Sequence, residues 1–231
     1  QVWYKYIWLQ FIYMFKRLFL FFSFSTFSLV AQVDYSDAWE DFFSYNNVKD
    51  FVTVENKLYA LSDNAIFKYD FTTQETEKLS SVQGLSGETT SAIHYSLETN
   101  RLVIGYENGL IEVIDSDGSI TISSDIVSFN QTGAKRINDI FEYQGKLYLS
   151  TSFAIVEYDI LQLEFGDTFF IGNNSSEVNI LEIAIFNDQI YAATANGIFH
   201  ADSNNPNLID FNNWNVITSA KNNFKNITVF N

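Results

Sequence analysis

Hydrophobic and polar positions alternate along four stretches of the chain, and each stretch holds two short apolar runs separated by a polar corner. The first is KLYALSDNAIFKYD, from Lys57 to Asp70, and the other three begin at Arg101, Lys146 and Gln189. A period of two interrupted by Gly, Asn, Asp or Ser predicts β-hairpins. The four stretches are therefore expected to be four copies of one local unit.

The copies recur at a nearly constant distance. Their anchor residues Leu58, Leu102, Leu147 and Ile190 are 44, 45 and 43 residues apart. A fixed period of this size is typical of repeat proteins, in which each unit buries its hydrophobic face against its neighbours.

The second repeat shows what one copy builds. From Ser91 it reads SAIHY, RLVIG, LIEVI and SITIS, which are four short strands joined by three turns. Asn108-Gly109 and Asp117-Gly118 supply the positive φ that two-residue hairpin turns need, so neighbouring strands are expected to pair antiparallel. The same scheme predicts strands at 137–143, 146–150, 154–158 and 168–171 in the third repeat, and a fourth repeat from 180 to 218.

Four antiparallel strands repeated about every 44 residues predict an all-β protein, a β-propeller built of four-stranded blades. Parallel β-helices have much shorter periods, and neither the Asn ladder of leucine-rich repeats nor the Gly-His and Trp-Asp marks of WD40 blades occurs. A seven-bladed ring needs roughly 310 residues at this period. The chain is therefore expected to cover about four blades of a seven-bladed ring.

A second internal match concerns closure of the ring. WEDFFSYNNVKDFVTVEN from Trp39 aligns without a gap with WNVITSAKNNFKNITVFN from Trp214, 175 residues later. Trp214 is expected on the outer strand of the fourth blade, and 224–231 on the inner strand of a fifth. Residues 39–45 then form the outer strand of a blade whose other strands come last in the full ring, which leaves no open edge. A separate 32–231 segment is expected to aggregate through exposed sheet edges.

The first 31 residues differ from the rest, because they carry basic but no acidic side chains. MFKRLFLFFSFSTFSLVAQ, from Met14, has a basic start, an apolar run and Ala31 before Gln32, which predicts a signal peptide at 14–31. A membrane anchor is the alternative, but the apolar run is shorter than the roughly 20 residues of a spanning helix. Residues 1–13 precede the only Met and are interpreted as upstream translation. An incomplete N-terminal β-propeller domain is then expected at 32–231.

Charge and cysteine content exclude several classes of function. Residues 32–231 carry 10 basic against 28 acidic side chains, a net charge of −18. This field repels nucleic acid and anionic membranes, so no nucleic-acid partner is expected. The acidity is interpreted as favouring solubility over a specific cationic partner or metal. With 0 Cys, the chain has no disulfide, thiolate metal site or cysteine nucleophile.

No catalytic, cofactor-binding or metal-binding residue is predicted. His94 and His200 are far apart in the repeat frame and do not form a pair. Asp115–Gly118 opens like a calcium loop but lacks the later ligands, so a hairpin turn is favoured. Gly84–Glu88, GLSGE, is neither a nucleophile elbow nor a phosphate loop. It is interpreted as the linker that crosses between blades.

Polar turn residues recur at equivalent positions in three repeats, which places them on one face of the ring. They are interpreted either as a binding surface or as the ordinary chemistry of turns. The residues are Asp63, Asn64, Glu107, Asn108, Asn196 and Gly197.

The segment GLSGETTSAIHYSLETNRLVIGYENGLIEVID, Gly84 to Asp115, resembles the two-component-regulator propeller repeat. That repeat has a Gly-Leu-Ser start, an inner strand, a W-I-G-T strand, and NGL before an aromatic strand ending in Asp. Val103 stands at the position of its Trp, and Tyr106 at that of its Thr. The predicted signal peptide followed by WEDFFSYNNVKDF is similar to the start of PorZ-type proteins, surface β-propellers of the bacterial type IX secretion machinery.

The resemblance implies an exported, non-enzymatic scaffold and recognition propeller of the secretion attachment complex, in the periplasm or on the outer surface of a Gram-negative bacterium. It implies no cofactor, and as partners secretion-complex proteins including a surface sortase, together with anionic lipopolysaccharide. The net charge of −18 over residues 32–231, from 10 basic and 28 acidic side chains, opposes lipopolysaccharide binding by these residues. The alternative is a periplasmic ligand-sensing propeller of a hybrid two-component histidine kinase, and a propeller lyase or glycosidase is a third interpretation.

Overall fold

The computed structural model describes residues 8, 10–17, 45–217, 224 and 226–229. The chain divides into two units, Gln1–Glu40 and Asp41–Asn231. In the first unit the described residues are helical, and no described helix is long and apolar enough to cross a membrane. The rest of the predicted signal peptide and residues 39–44 of the predicted closing strand lie outside the described residues.

The described part of the second unit forms four four-stranded sheets, which we call blades 1 to 4. Blade 1 contains β1 (Asp50–Val54), β2 (Lys57–Ser62), β3 (Ala65–Asp70) and β4 (Thr76–Leu79). Blade 2 contains β5 (Thr90–Ser96), β6 (Arg101–Tyr106), β7 (Ile111–Ile114) and β8 (Ile120–Ser123). Blade 3 contains β9 (Ile137–Tyr143), β10 (Lys146–Thr151), β11 (Ile155–Asp159) and β12 (Glu164–Phe169). Blade 4 contains β13 (Ile180–Phe186), β14 (Gln189–Thr194), β15 (Gly197–Asp202) and β16 (Asn215–Ile217).

Every blade keeps its strands in chain order, and each strand pairs antiparallel with the next. Short connections dictate this order in blades 1 to 3 and among the first three strands of blade 4, because a tight turn can only return the chain beside the strand it has just left. The last connection of blade 4, between β15 and β16, is longer and includes the 3-10 turn Phe211–Asn213. The predicted four-stranded antiparallel blades are therefore confirmed, whereas seven blades in the full ring stay a prediction.

Short helical turns fill the connections between and within blades. The segment after blade 1 holds a 3-10 turn, Ser81–Gln83, and the segment after blade 2 a single helical turn, Asp125–Ser128. Ser80 begins the first turn with a capping box, since its Oγ accepts the Val82 N–H at 3.2 Å while the Gln83 side chain accepts the Ser80 N–H at 2.9 Å. Two further 3-10 turns are Asn173–Ser175 and Phe211–Asn213.

The hydrophobic core lies between the blades. Three clusters of buried side chains fill the spaces between blades 1 and 2, blades 2 and 3, and blades 3 and 4. Strands covered on both faces bury the side chains of both faces, as in Ile111–Ile114, where three apolar residues and Glu112 are all buried. Each blade thus depends on its neighbours for burial, as the repeat period predicted.

The outer strand of blade 3 corrects one predicted boundary. The sequence predicts this strand at 168–171, but β12 begins at Glu164 and ends at Phe169. The Asp159 carboxylate accepts the N–H groups of Leu161 and Gln162, both at 2.9 Å, and so closes a compact turn. The chain consequently re-enters the sheet earlier than the apolar pattern indicates.

The turns of blade 2 correct a second prediction. Of the Asn108-Gly109 pair only Gly109 has a positive φ, 89°. The Gly109 N–H donates to the Tyr106 carbonyl, and the Tyr106 N–H to the Leu110 carbonyl, both at 3.1 Å. This is a three-residue hairpin loop with its last residue in the left-handed region, not a two-residue turn. Gly118, with φ of 87°, plays the same part between β7 and β8.

Candidate functional site

The turns between the second and third strands of the blades lie on one side of the ring, which we call the turn face. They comprise residues 63–64, 107–110, 152–154 and 195–196. The first three contact the segment that leads into the next blade. The Thr90 N–H donates to the Asp63 carbonyl at 2.8 Å, Arg136 pairs with Glu107 at 2.6 Å, and the Val178 N–H donates to the Phe153 carbonyl at 2.9 Å.

A buried hydroxyl closes the turn in three of the blades. Ser62, Thr151 and Thr194 end the second strands and donate to the backbone carbonyl three residues later, at 3.0, 2.7 and 2.8 Å. Blade 2 has Tyr106 at this position, and its hydroxyl donates to the carboxylate of Glu112 instead. The hydroxyl at the Thr position of the W-I-G-T strand thus closes the following turn in blades 1, 3 and 4. In blade 2 the Tyr106 hydroxyl does not make this bond.

Glu112, which accepts the Tyr106 hydroxyl, is a buried carboxylate. It is 0% exposed and accepts the backbone N–H of Ser86 at 2.7 Å. Burial, with the hydrogen bond to Glu112, raises the pKa of Tyr106. The pair therefore anchors the Gly84–Glu88 linker to blade 2. Glu112 was not among the predicted site residues, although an acid inside the apolar run LIEVI is a signal in the sequence.

The predicted turn residues mostly hold the ring together. Asp63 lies 3.2 Å from the ammonium of Lys49, and hydrogen bonds from Lys49 and Asn47 lower the pKa of its carboxyl group. The Asn64 amide donates to the Gly87 carbonyl at 2.9 Å, and the Asn108 side chain accepts the Leu110 N–H at 3.0 Å. These contacts favour the turn-chemistry interpretation for Asp63, Asn64 and Asn108.

Residues 124–136, between β8 and β9, form a loop on the turn face that we call the aromatic loop. Phe129 in this loop is 44% exposed, and its ring stacks on buried Phe153 with 5.9 Å between centroids and 10° between planes. The ammonium of Lys135 donates to the carbonyls of Val127 and Phe129, both at 2.6 Å. The loop thus presents an aromatic ring in a fixed position.

Carboxylates recur on the inner strands. Asp50, Asp139 and Glu182 each pair with the next-to-last residue of the neighbouring second strand, whereas blade 2 has Ala92 there. Burial and the charges of Glu182 and Asp50 raise the pKa of Asp139 to about 7. Glu182 accepts the Ile227 N–H at 2.6 Å, which links β13 to the chain that follows blade 4.

The two histidines lie on different blades. His94 on β5 contacts the Glu142 carboxylate on β9 at 2.9 Å and so joins blades 2 and 3. His200 on β15 lies 3.3 Å from the Gln189 side chain and stacks on Tyr191. Within the described part of the chain, no group of three or more His, Asp or Glu residues is arranged to hold a metal ion.

Grooves open between blades at the ends of the strands opposite the turn face. One of about 360 Å³ lies between blades 1 and 2, with Lys57 and Tyr59 among its lining residues. One of about 240 Å³ between blades 3 and 4 has Lys146 and Tyr148 at the matching positions. Between blades 2 and 3, Arg101 instead bonds to Asp115 at 2.7 Å and to the Ile160 carbonyl. The basic residue that begins the second strand of blades 1, 2 and 3 therefore either lines a groove or bridges two blades, and blade 4 has Gln189 at this position.

Four consecutive, radially stacked, four-stranded antiparallel sheets with their cores between them define a β-propeller protein. The family of type IX secretion PorZ N-terminal β-propeller domains matches residues 58–215. This match covers more than half of the chain, and the chain belongs to that family.

Solved structures show the same fold at low sequence identity. PorZ of the type IX secretion system of Porphyromonas gingivalis superposes with a TM-score of 0.67 and 19% identity, covering 78% of this chain and 24% of that one. The extracellular domain of a putative hybrid two-component system from B. thetaiotaomicron gives 0.58 and 15%, covering 82% and 25%. Saccharomyces cerevisiae Sqt1 gives 0.56 and 20%, covering 71% and 48%. The chain spans about a quarter of the length of the PorZ structure, and no curated protein matches its sequence.

Proposed function

We propose that this chain is part of an exported, non-enzymatic scaffold and recognition propeller of the type IX secretion attachment complex at the cell surface. The carrying observation is the match of residues 58–215 to the PorZ N-terminal propeller family. The turn face supports a recognition role, because loops on a rigid scaffold commonly carry binding function. The partners proposed by family resemblance are secretion-complex proteins including a surface sortase.

The test is deletion of the gene in its host, followed by separate analysis of cargo in periplasm, cell surface and medium. The proposal predicts that cargo with an uncleaved C-terminal sorting domain accumulates, and that the full-length gene restores processing. A second complementing strain should lack the segment encoding residues 58–215. Normal processing in either the deletion strain or this second strain would contradict the proposed role.

A second candidate is the periplasmic sensor domain of a hybrid two-component histidine kinase. Its support is the structural likeness to extracellular domains of two putative hybrid two-component systems from B. thetaiotaomicron. The sequence downstream of Asn231 discriminates between the candidates. A second propeller and an immunoglobulin-like sorting domain would favour the secretion complex, whereas a membrane helix and a kinase core would favour the sensor.

A further inference from the structure

Three side-chain contacts hold the aromatic loop in place. Lys135 donates to two of its carbonyls, as described above. The Gln131 amide donates to the Glu177 carboxylate at 3.1 Å. The loop also packs directly on the turn at Gly109, where a Cβ atom would lie only 2.5 Å from Cγ2 of Ile126. A loop held in this way loses little conformational entropy when it binds.

Two apolar side chains of the loop face water. Val127 is 36% exposed and Phe129 is 44% exposed. The inner face of the Phe129 ring is covered by Phe153, and Phe170 lies 6.3 Å from it, so an aromatic stack supports the exposed ring. Aromatic side chains fixed in this way typically supply much of the binding energy of protein–protein interfaces.

The charges around the loop are not balanced at the surface. Lys49 pairs with Asp63 and Arg136 with Glu107, whereas the ammonium of Lys135 donates to two neutral loop carbonyls and keeps its charge. Three acidic side chains of the same face are exposed: Glu88, Asp125 and Glu177. These three exposed acids, which we call the acidic rim, give the surface around the aromatic loop a net negative charge. A negative surface favours a positively charged partner.

We propose that the aromatic loop is the docking site for a basic protein surface, with an apolar side chain of the partner covering Phe129 and Lys or Arg side chains facing the acidic rim. Self-association through this surface is disfavoured, because two copies of a chain with net charge −15 repel each other. An anionic glycolipid is disfavoured for the same reason. This inference deepens the proposed scaffold role and rests on it.

The test is site-specific photo-cross-linking of the full-length protein in its native host. The photoreactive residue p-benzoylphenylalanine replaces Phe129, and as a matched control it replaces Phe71, which is 55% exposed in the turn after β3 on the opposite side of the ring. Ultraviolet light should give one discrete protein adduct from position 129 and none from position 71. Mass spectrometry should place the cross-link in a partner segment of net positive charge.

A charge reversal tests the acidic rim. Asp125→Lys should lower the yield of the position-129 adduct about fivefold, the effect of roughly 1 kcal/mol, and unlike Glu177 this exposed residue is not the partner of Gln131 that holds the loop. The matched control is Glu75→Lys in the exposed turn between β3 and β4, which should leave the yield unchanged. Equal yields with both variants would overturn the proposal.

Other outcomes also overturn it: absence of an adduct at position 129, a neutral or acidic partner segment, a glycolipid ladder, or a cross-link within the chain itself. Failure of the proposed function is distinguishable from these. A basic partner outside the secretion complex supports docking but contradicts the secretion role. Defective cargo processing in the deletion strain without an adduct supports the secretion role and refutes docking.

Discussion

We compare the free energy of unfolding of Asp139→Asn with that of the unchanged protein. The difference between the two is expected to favour the variant more at pH 8 than at pH 5. Burial and the neighbouring carboxylates raise the pKa of Asp139 from 3.8 to about 7 in the folded state. This pKa shift means that the folded state favours the protonated over the ionised carboxyl group by about 4 kcal/mol more than the unfolded chain does. Because the folded-state pKa is raised, the stabilising contribution is complete below the unfolded pKa and is lost as pH rises through 7.

Linkage converts this into a measurable slope. Between pH 5 and pH 8 the titration of Asp139 should lower the free energy of unfolding by up to about 3 kcal/mol. Partial exposure of the side chain makes this an upper value, since water screens the charge. Asn cannot ionise, so the variant should lack this loss.

Urea unfolding at pH 5, 6.5 and 8 measures the effect. Tryptophan fluorescence follows the transition, and Trp214, buried in the core between blades 3 and 4, contributes to it. The matched control is Asp117→Asn in an exposed turn, where hydrogen bonds from Ser119 lower the pKa of the carboxyl group. This variant should show no gain at pH 8. Parallel pH profiles for Asp139→Asn and the unchanged protein would refute the reasoning.

Three further predictions concern stability in urea. Tyr106→Phe should lower the free energy of unfolding by about 1–3 kcal/mol, because buried Glu112 loses a donor; no change would mean that the bond is not made. Gly109→Ala should cost about 3 kcal/mol and Gly118→Ala about 1 kcal/mol, because both have positive φ but only Gly109 lacks space for a Cβ atom; equal costs would contradict this. Arg101→Gln should cost about 1–2 kcal/mol through lost bonds between blades 2 and 3, and an unchanged urea midpoint would count against that bridge.

Local patterns carried most of the fold prediction. The residues Leu58, Leu102, Leu147 and Ile190 all stand second in the second strands of their blades, so their spacing measured the true repeat. Turn glycines at 109 and 118 marked the hairpins correctly. The errors at the start of β12 and in the type of hairpin turn arose where a side chain, such as Asp159, or one glycine closed a turn that apolar periodicity does not register.

The polar residues of interest could not be assigned in the same way. Glu112 lies on a strand whose counterparts at the same register carry Phe67, Val156 and Phe199, so the repeat frame predicts an apolar side chain there. Its partner Ser86 is in the linker before blade 2, and this contact exists only because the linker folds over the sheet.

The sequence by itself determined the repeat period, the strand order within each blade and the acidic character of the chain, since these depend on neighbours along the chain and on composition. Only the tertiary structure decided which polar groups meet. Stacking of the inner strands brings Asp50, Asp139 and Glu182 close enough to affect one another's ionisation. Packing of the loop after blade 2 against blade 3 decided that Phe129 is held on Phe153 yet still faces water, because contacts between distant segments arise only when the blades assemble.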